Sequence, residues 1–140
     1  MKVTIISVIL SIIAIIGGVL LNFEEVLWNE HANIKNLVVT LSYMSVWGLF
    51  LLIAAKSKSQ GNLNYFFWFW LSTLLSSVIV AFVQANPFSL SVVFAPFLTL
   101  LIPFYGIRCF VEDFVSLSII IAAISFGMSL VGYILLRRFK

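Results

Sequence analysis

The tightest constraint on this chain is an uncharged run from Val3 to Asn22, matched in kind by Leu37–Ala55, Tyr65–Gln84 and Val115–Leu136. The hydrocarbon core of a bilayer is about 30 Å thick, and a helix of roughly 20 apolar residues crosses it. Each run has that length and carries no Asp, Glu, Lys or Arg. In a chain of 140 residues they leave little for any other architecture. Composition points the same way. Hydrophobic residues make up 63% of the chain and charged residues 9%, where a soluble domain has about half and a quarter. Eight basic and five acidic side chains cannot solvate the surface of a protein this rich in Phe, Ile and Leu. A soluble enzyme, a nucleic-acid-binding domain and a disordered tail are excluded. The expected fold is all-α: a polytopic helical membrane bundle, one integral membrane domain over 1–140, with spans at about 3–22, 37–55, 65–84 and 115–136.

The first run is expected to be an uncleaved helix. A signal peptide has a shorter apolar core followed by a small-x-small cleavage site, and Leu20-Leu21-Asn22-Phe23 offers none. Between the first two spans, Phe23–Asn36 reads as a polar loop with Glu24, Glu25, Glu30, His31 and Lys35. Lys56-Ser57-Lys58 and the turn-forming Gln60-Gly61-Asn62 close the second span. Tyr65 and Trp68 open the third at the headgroup level that such rings favour. Asn86-Pro87 should end it, because the residue before proline disfavours the helical region.

Phe88–Ile107 is also uncharged, yet Pro96 and Pro103 interrupt it. Hydropathy alone would make it a fifth crossing. The basic residues decide otherwise. With four crossings and the N-terminus inside, Lys2, Lys56, Lys58, Arg137, Arg138 and Lys140 are cytoplasmic, and all five acids are outside. With five, the eight basic residues split four and four, against the positive-inside bias of short loops. Each interior proline also removes a backbone donor and costs about 3 kcal/mol in a helix. The segment is therefore expected to be re-entrant or interfacial: it enters from outside, turns at Ala95-Pro96 and returns. Five spanning helices are the alternative. A re-entrant backbone must be buried in protein or line a wet cavity, since lipid satisfies none of its polar groups.

Chemistry is sparse. None of the four runs holds an ionisable residue, the usual mark of a proton or ion pathway. Glu24-Glu25 with Glu30 and His31 is the nearest thing to a constellation. Its twin glutamate is similar to the signature of intramembrane CAAX-type proteases, which continue with an Arg four positions after the second Glu. This chain has Asn29 there and a single His. A solvated acidic loop is the plainer reading. No catalytic, cofactor-binding or metal-binding residue is assigned, and no cofactor is expected. The lone Cys109 allows no internal disulfide and no dithiol exchange. Comparison by size with small fluoride channels, small multidrug exporters and four-helix thiol oxidoreductases carries no residues across.

Two weaker patterns remain. Ser72, Thr73, Ser76 and Ser77 would form a hydroxyl strip, while Ala123-x3-Gly127, Ser125-x3-Ser129 and Gly132 bring small residues to one helix. Such residues let helices approach closely and bond across the contact, or line a pore. Pro96, Pro103, Arg108 and Glu112 would form an outer mouth over a groove with Tyr105. Arg108 and Glu112 stand four apart and would pair if helical. These features favour a non-enzymatic accessory, regulatory or immunity-type interaction protein. The alternative is a homo-oligomeric passive pore or small-solute transporter. Expected partners are the lipid bilayer and another membrane protein or a second copy, with no nucleic acid. The expected location is a cell membrane, bacterial in style, with both termini cytoplasmic.

Overall fold

The computed structural model describes residues 2–85 and 95–139. The described residues form helices joined by short connections: α1 Lys2–Leu27, α2 Ile34–Lys56, α3 Gln60–Ala85, α4 Ala95–Leu101, a 3-10 helix Ile102–Cys109 and α5 Phe114–Arg138. Four of these, α1, α2, α3 and α5, are long and apolar enough to cross a membrane. Each extends beyond its apolar run. The reason is local: capping and turn chemistry, not hydropathy, sets where a helix stops.

Two left-handed residues show this. Asn29 and Lys58 both have φ of 50°. After α1, Asn29 N–H bonds Val26 O at 3.2 Å and Glu30 N–H bonds Glu25 O at 2.9 Å. After α2, Lys58 N–H bonds Ala55 O at 3.2 Å and Ser59 N–H bonds Ala54 O at 3.1 Å. Both are Schellman endings, which satisfy the last orphan carbonyls. The loop expected over Phe23–Asn36 thus shrinks to Trp28–Asn33, with Glu24 and Glu25 in α1 and Lys35 and Asn36 in α2. Gln60-Gly61-Asn62 likewise forms the first turn of α3, not the turn before it.

The break expected at Asn86-Pro87, and Phe88–Phe94 of the proline-containing segment, lie outside the described residues. The rest of that segment returns to the side it came from. Gln60 Nε2 donates to Phe139 O at 3.0 Å, which joins the start of α3 to the end of α5. Helix α5 therefore begins at the end of the bundle where α3 finishes. Arg108 and Cys109 lie at that same end, bonded to Asn29 and Asn33 of the α1–α2 turn. The described residues thus hold four long apolar helices and a shorter proline-containing apolar helical segment.

The approach to the expected turn at Ala95-Pro96 lies outside the described residues. Ala95 opens α4 and Pro96 sits in its first turn, where the missing N–H has no intrahelical partner to lose. The change of geometry comes at Leu101–Pro103, where α4 gives way to the 3-10 helix. There the second proline does remove an interior donor.

An aromatic core holds α2, α3 and the re-entrant segment together. Trp47 is fully buried; it stacks on Phe69 with centroids 4.1 Å apart and meets Trp70 edge-on at 5.8 Å. Phe104 enters from the 3-10 helix, 5.2 Å from Tyr43 and 5.9 Å from Trp70. Tyr43 lies about 13 Å along α2 from its first residue. The segment thus reaches well into the bundle. Helices α3 and α5 share the most extensive contact, through the face of α5 that carries Ser118, Ser125, Ser129 and Gly132, all buried. A Cβ at Gly132 would lie 3.1 Å from Phe66 Cδ1.

Candidate functional site: a polar clamp on the re-entrant segment

Replacing α-helix by 3-10 helix after a proline leaves backbone groups without the partners an α-helix supplies. In an apolar interior, polar side chains that reach these groups stabilise the altered backbone. Asn22 and Thr40 do so directly, and Asn36 supports Asn22. Asn22 Nδ2 on α1 donates to Ile102 O at 3.0 Å and Pro103 O at 3.4 Å. Thr40 Oγ1 on α2 donates to Pro103 O at 2.8 Å and accepts from Gly106 N–H at 3.0 Å. Asn36 Nδ2 donates to Asn22 Oδ1 at 3.1 Å, which fixes the orientation of that amide. All three side chains are buried. Asn36 has a second task, because it forms a reciprocal capping box with Asn33 at the start of α2.

Two glycines allow the approach. A Cβ at Gly106 would lie 2.3 Å from Asn36 O and 2.6 Å from Leu37 Cα, so the 3-10 helix meets the α2 backbone directly. A Cβ at Gly18 would lie 2.8 Å from Pro103 Cβ. Pro103 is wedged between α1 and α2 and is closed to the outside.

Above the clamp sits a charged cap. The Tyr105 hydroxyl lies against the carbonyls of Glu25 and Glu30 at the end of α1. It accepts from Arg108 Nη1 at 2.7 Å. Arg108 also donates to Asn29 Oδ1 at 2.9 Å and to Glu112 O at 2.8 Å. Its guanidinium lies 4.9 Å from the Phe114 ring centre and 5.3 Å from that of Tyr105, within cation–π range. Glu25 is buried and ion-paired with Lys35. Asp113 caps α5 by accepting from Ser116 N–H at 2.7 Å. That bond holds the Asp113 carboxyl below the usual aspartate range.

The outer-mouth residues are thus placed apart. Pro103 and Tyr105 are buried, whereas Pro96 and Glu112 are exposed. Arg108 bonds the Glu112 backbone rather than its carboxylate, because the intervening chain is 3-10 helix and bend, not α-helix. The space between Tyr105, Leu101 and Phe114 is about 10 Å³, no more than one water's worth.

The hydroxyl strip is divided. Thr73, Ser76 and Ser77 are buried, while Ser72 faces out. Thr73 bonds Phe69 O at 3.0 Å and Ser77 bonds Leu74 O at 2.8 Å, so both hydroxyls serve their own helix. Ala123 and Gly127 are exposed on α5, and a Cβ at Gly127 would meet nothing within 4 Å. Among the described residues no three His, Cys, Asp or Glu side chains gather as a metal site would need.

Sequence reasoning missed the clamp. Asn22 and Asn36 read as the polar ends of an apolar run and a loop. The available signal was their position: two amides at the same end of adjacent helices, with Thr40 one turn deeper, opposite a segment that Pro103 must leave short of hydrogen bonds.

Together these features define an all-α bundle of four long apolar helices around a clamped, proline-broken re-entrant segment. Comparison with family models, with curated proteins and with solved structures returns no match to this chain.

Proposed function

We propose that this chain is a non-enzymatic multi-pass protein of a cell membrane, bacterial in style, that acts by binding another membrane protein as an accessory, regulatory or immunity-type subunit. The observation that carries the reading is the division of small residues on α5. Ser125, Ser129 and Gly132 face α3, but Ala123 and Gly127 face outward with room for a close neighbour. Small residues four apart on a lipid-facing surface suit helix–helix contact. The filled aromatic interior supports a binding role over conduction through a single bundle. Lys56, Lys58, Arg137 and Arg138 share one end of the bundle and the acids the other, so both termini are assigned to the cytoplasm by the positive-inside bias.

The test is purification in mild detergent at native expression level, with mass spectrometry of what co-elutes. A stoichiometric membrane partner, lost in Gly127→Leu but kept in Ser72→Leu, is the expected result. A homo-oligomer without another protein would favour the pore reading instead, and flux assays in vesicles would follow. A monomer without any partner would overturn the proposal.

A further inference from the structure

An apolar groove runs between α1 and α2. Its lower half, about 340 Å³, is lined by Leu10, Ile13, Ala14, Val46, Leu49 and Ile53. Ala14 and Val46 are shared with an upper half of about 300 Å³, floored by Gly17 and Gly18. The lower half extends about 10 Å along α2 from Val46 to Ile53, within the roughly 15 Å depth of one leaflet's hydrocarbon. Lys56 lies one turn further along the same face and is exposed. All five carboxylate side chains of the chain fall at residues 24–30 and 112–113, at the opposite end of the bundle. No acidic side chain of this protein is near enough to balance Lys56.

We propose that this groove is a binding site for one anionic phospholipid, its acyl chain against Ala14, Val46 and Ile53 and its phosphate paired with Lys56. Shape and charge agree on this occupant. A partner helix, about 10 Å across, would be held by the small residues of the upper half, not by the basic end. A lipid chain is narrower and brings the missing negative charge to the groove's mouth. The inference rests on membrane insertion and not on the identity of any protein partner.

The test is native mass spectrometry of the protein released from vesicles of equal phosphatidylglycerol and phosphatidylcholine with identical acyl chains. The expected result is retention of one phosphatidylglycerol at about fivefold over phosphatidylcholine, the preference a single basic residue at an anionic surface supplies. Lys56→Gln should abolish the preference. Ala14→Phe, which fills the groove, should lower retention of both lipids. The double variant Arg137→Gln/Arg138→Gln removes two charges from the same end of the bundle, on a helix that does not line the groove, and should keep the preference. Equal retention of the two lipids would overturn the proposal, as would equal loss in the Lys56 and the Arg137/Arg138 variants. Failure of the protein to enter vesicles would overturn the membrane reading itself.

Discussion

Asn22 on α1 donates its amide hydrogen to the carbonyl oxygen of Ile102, eighty positions away, at 3.0 Å. Ile102 precedes Pro103, and its carbonyl lies where the α-helical ladder stops. An amide at the end of one apolar helix thus supplies what the geometry of another segment removes. The pairing explains how a broken backbone is accommodated between apolar helices near the end of the bundle.

Asn22→Leu should therefore destabilise the protein by about 1–3 kcal/mol, the cost of leaving a buried carbonyl unsatisfied. Thr40→Val keeps the side-chain shape and should have an effect of similar size, because it removes the hydroxyl that donates to Pro103 O and accepts from Gly106 N–H. A double-mutant cycle between Asn22 and Asn36 should return a coupling of about 0.6–1.7 kcal/mol, the range for polar pairs inside membranes. Thermal unfolding in detergent reads all three. Purely additive effects would mean that the two amides act separately.

Gly106→Ala should be costly and Gly17→Ala should not. The new methyl at Gly106 would collide with the α2 backbone at Asn36 and Leu37, which no rotamer change relieves. Overpacking of this kind costs typically about 1–3 kcal/mol. At Gly17 nothing lies within 4 Å, and alanine is favoured over glycine in a helix interior by up to about 1 kcal/mol. Melting temperatures of the two variants should shift in opposite directions.

Lys58→Gly should stabilise. Lys58 holds a left-handed conformation after α2 with φ of 50°, which costs an L-residue about 1–2 kcal/mol. Glycine removes the steric term but adds unfolded-chain entropy, so the net gain should be up to about 1 kcal/mol. A lower melting temperature would mean that the exposed ammonium contributes more than the backbone strain.

Cys109 is exposed beside the α1–α2 turn. A membrane-impermeant maleimide should label it in intact cells, from the side opposite Lys56 and Arg138. Labelling only after permeabilisation would reverse the orientation assigned here.

The start of α5 should respond to acid through Asp113. Its carboxyl is held below the ordinary value by the Ser116 N–H, with the Ser116 hydroxyl adding to the effect. A depressed folded-state value means that the stabilisation is complete above the unfolded value. It is lost as pH falls through the folded one. The protection of the Ser116 amide, its exchange rate relative to the intrinsic rate at the same pH, should therefore fall on acidification, and Asp113→Asn, which retains an accepting oxygen, should flatten that dependence. An unchanged profile in Asp113→Asn would assign the response to another group.

The sequence by itself determined the fold class and the path of the chain. Four uncharged runs of bilayer length can be little else than helices, and the grouping of Lys and Arg was the ground for expecting Phe88–Ile107 to return instead of crossing. Both are one-dimensional signals, set by length and charge. It could also say that Pro103 needs outside hydrogen bonds, but not who supplies them. That was decided by tertiary structure, because Asn22, held by Asn36, and Thr40 meet Ile102 and Pro103 only once three elements distant in the chain are packed together. The same holds for α5, where Ser125 and Gly127 look alike in sequence. Which of them faces α3 and which faces outward depends on how the helix is rotated against its neighbour, and that rotation is set by close packing around Phe66, not by the spacing of small residues.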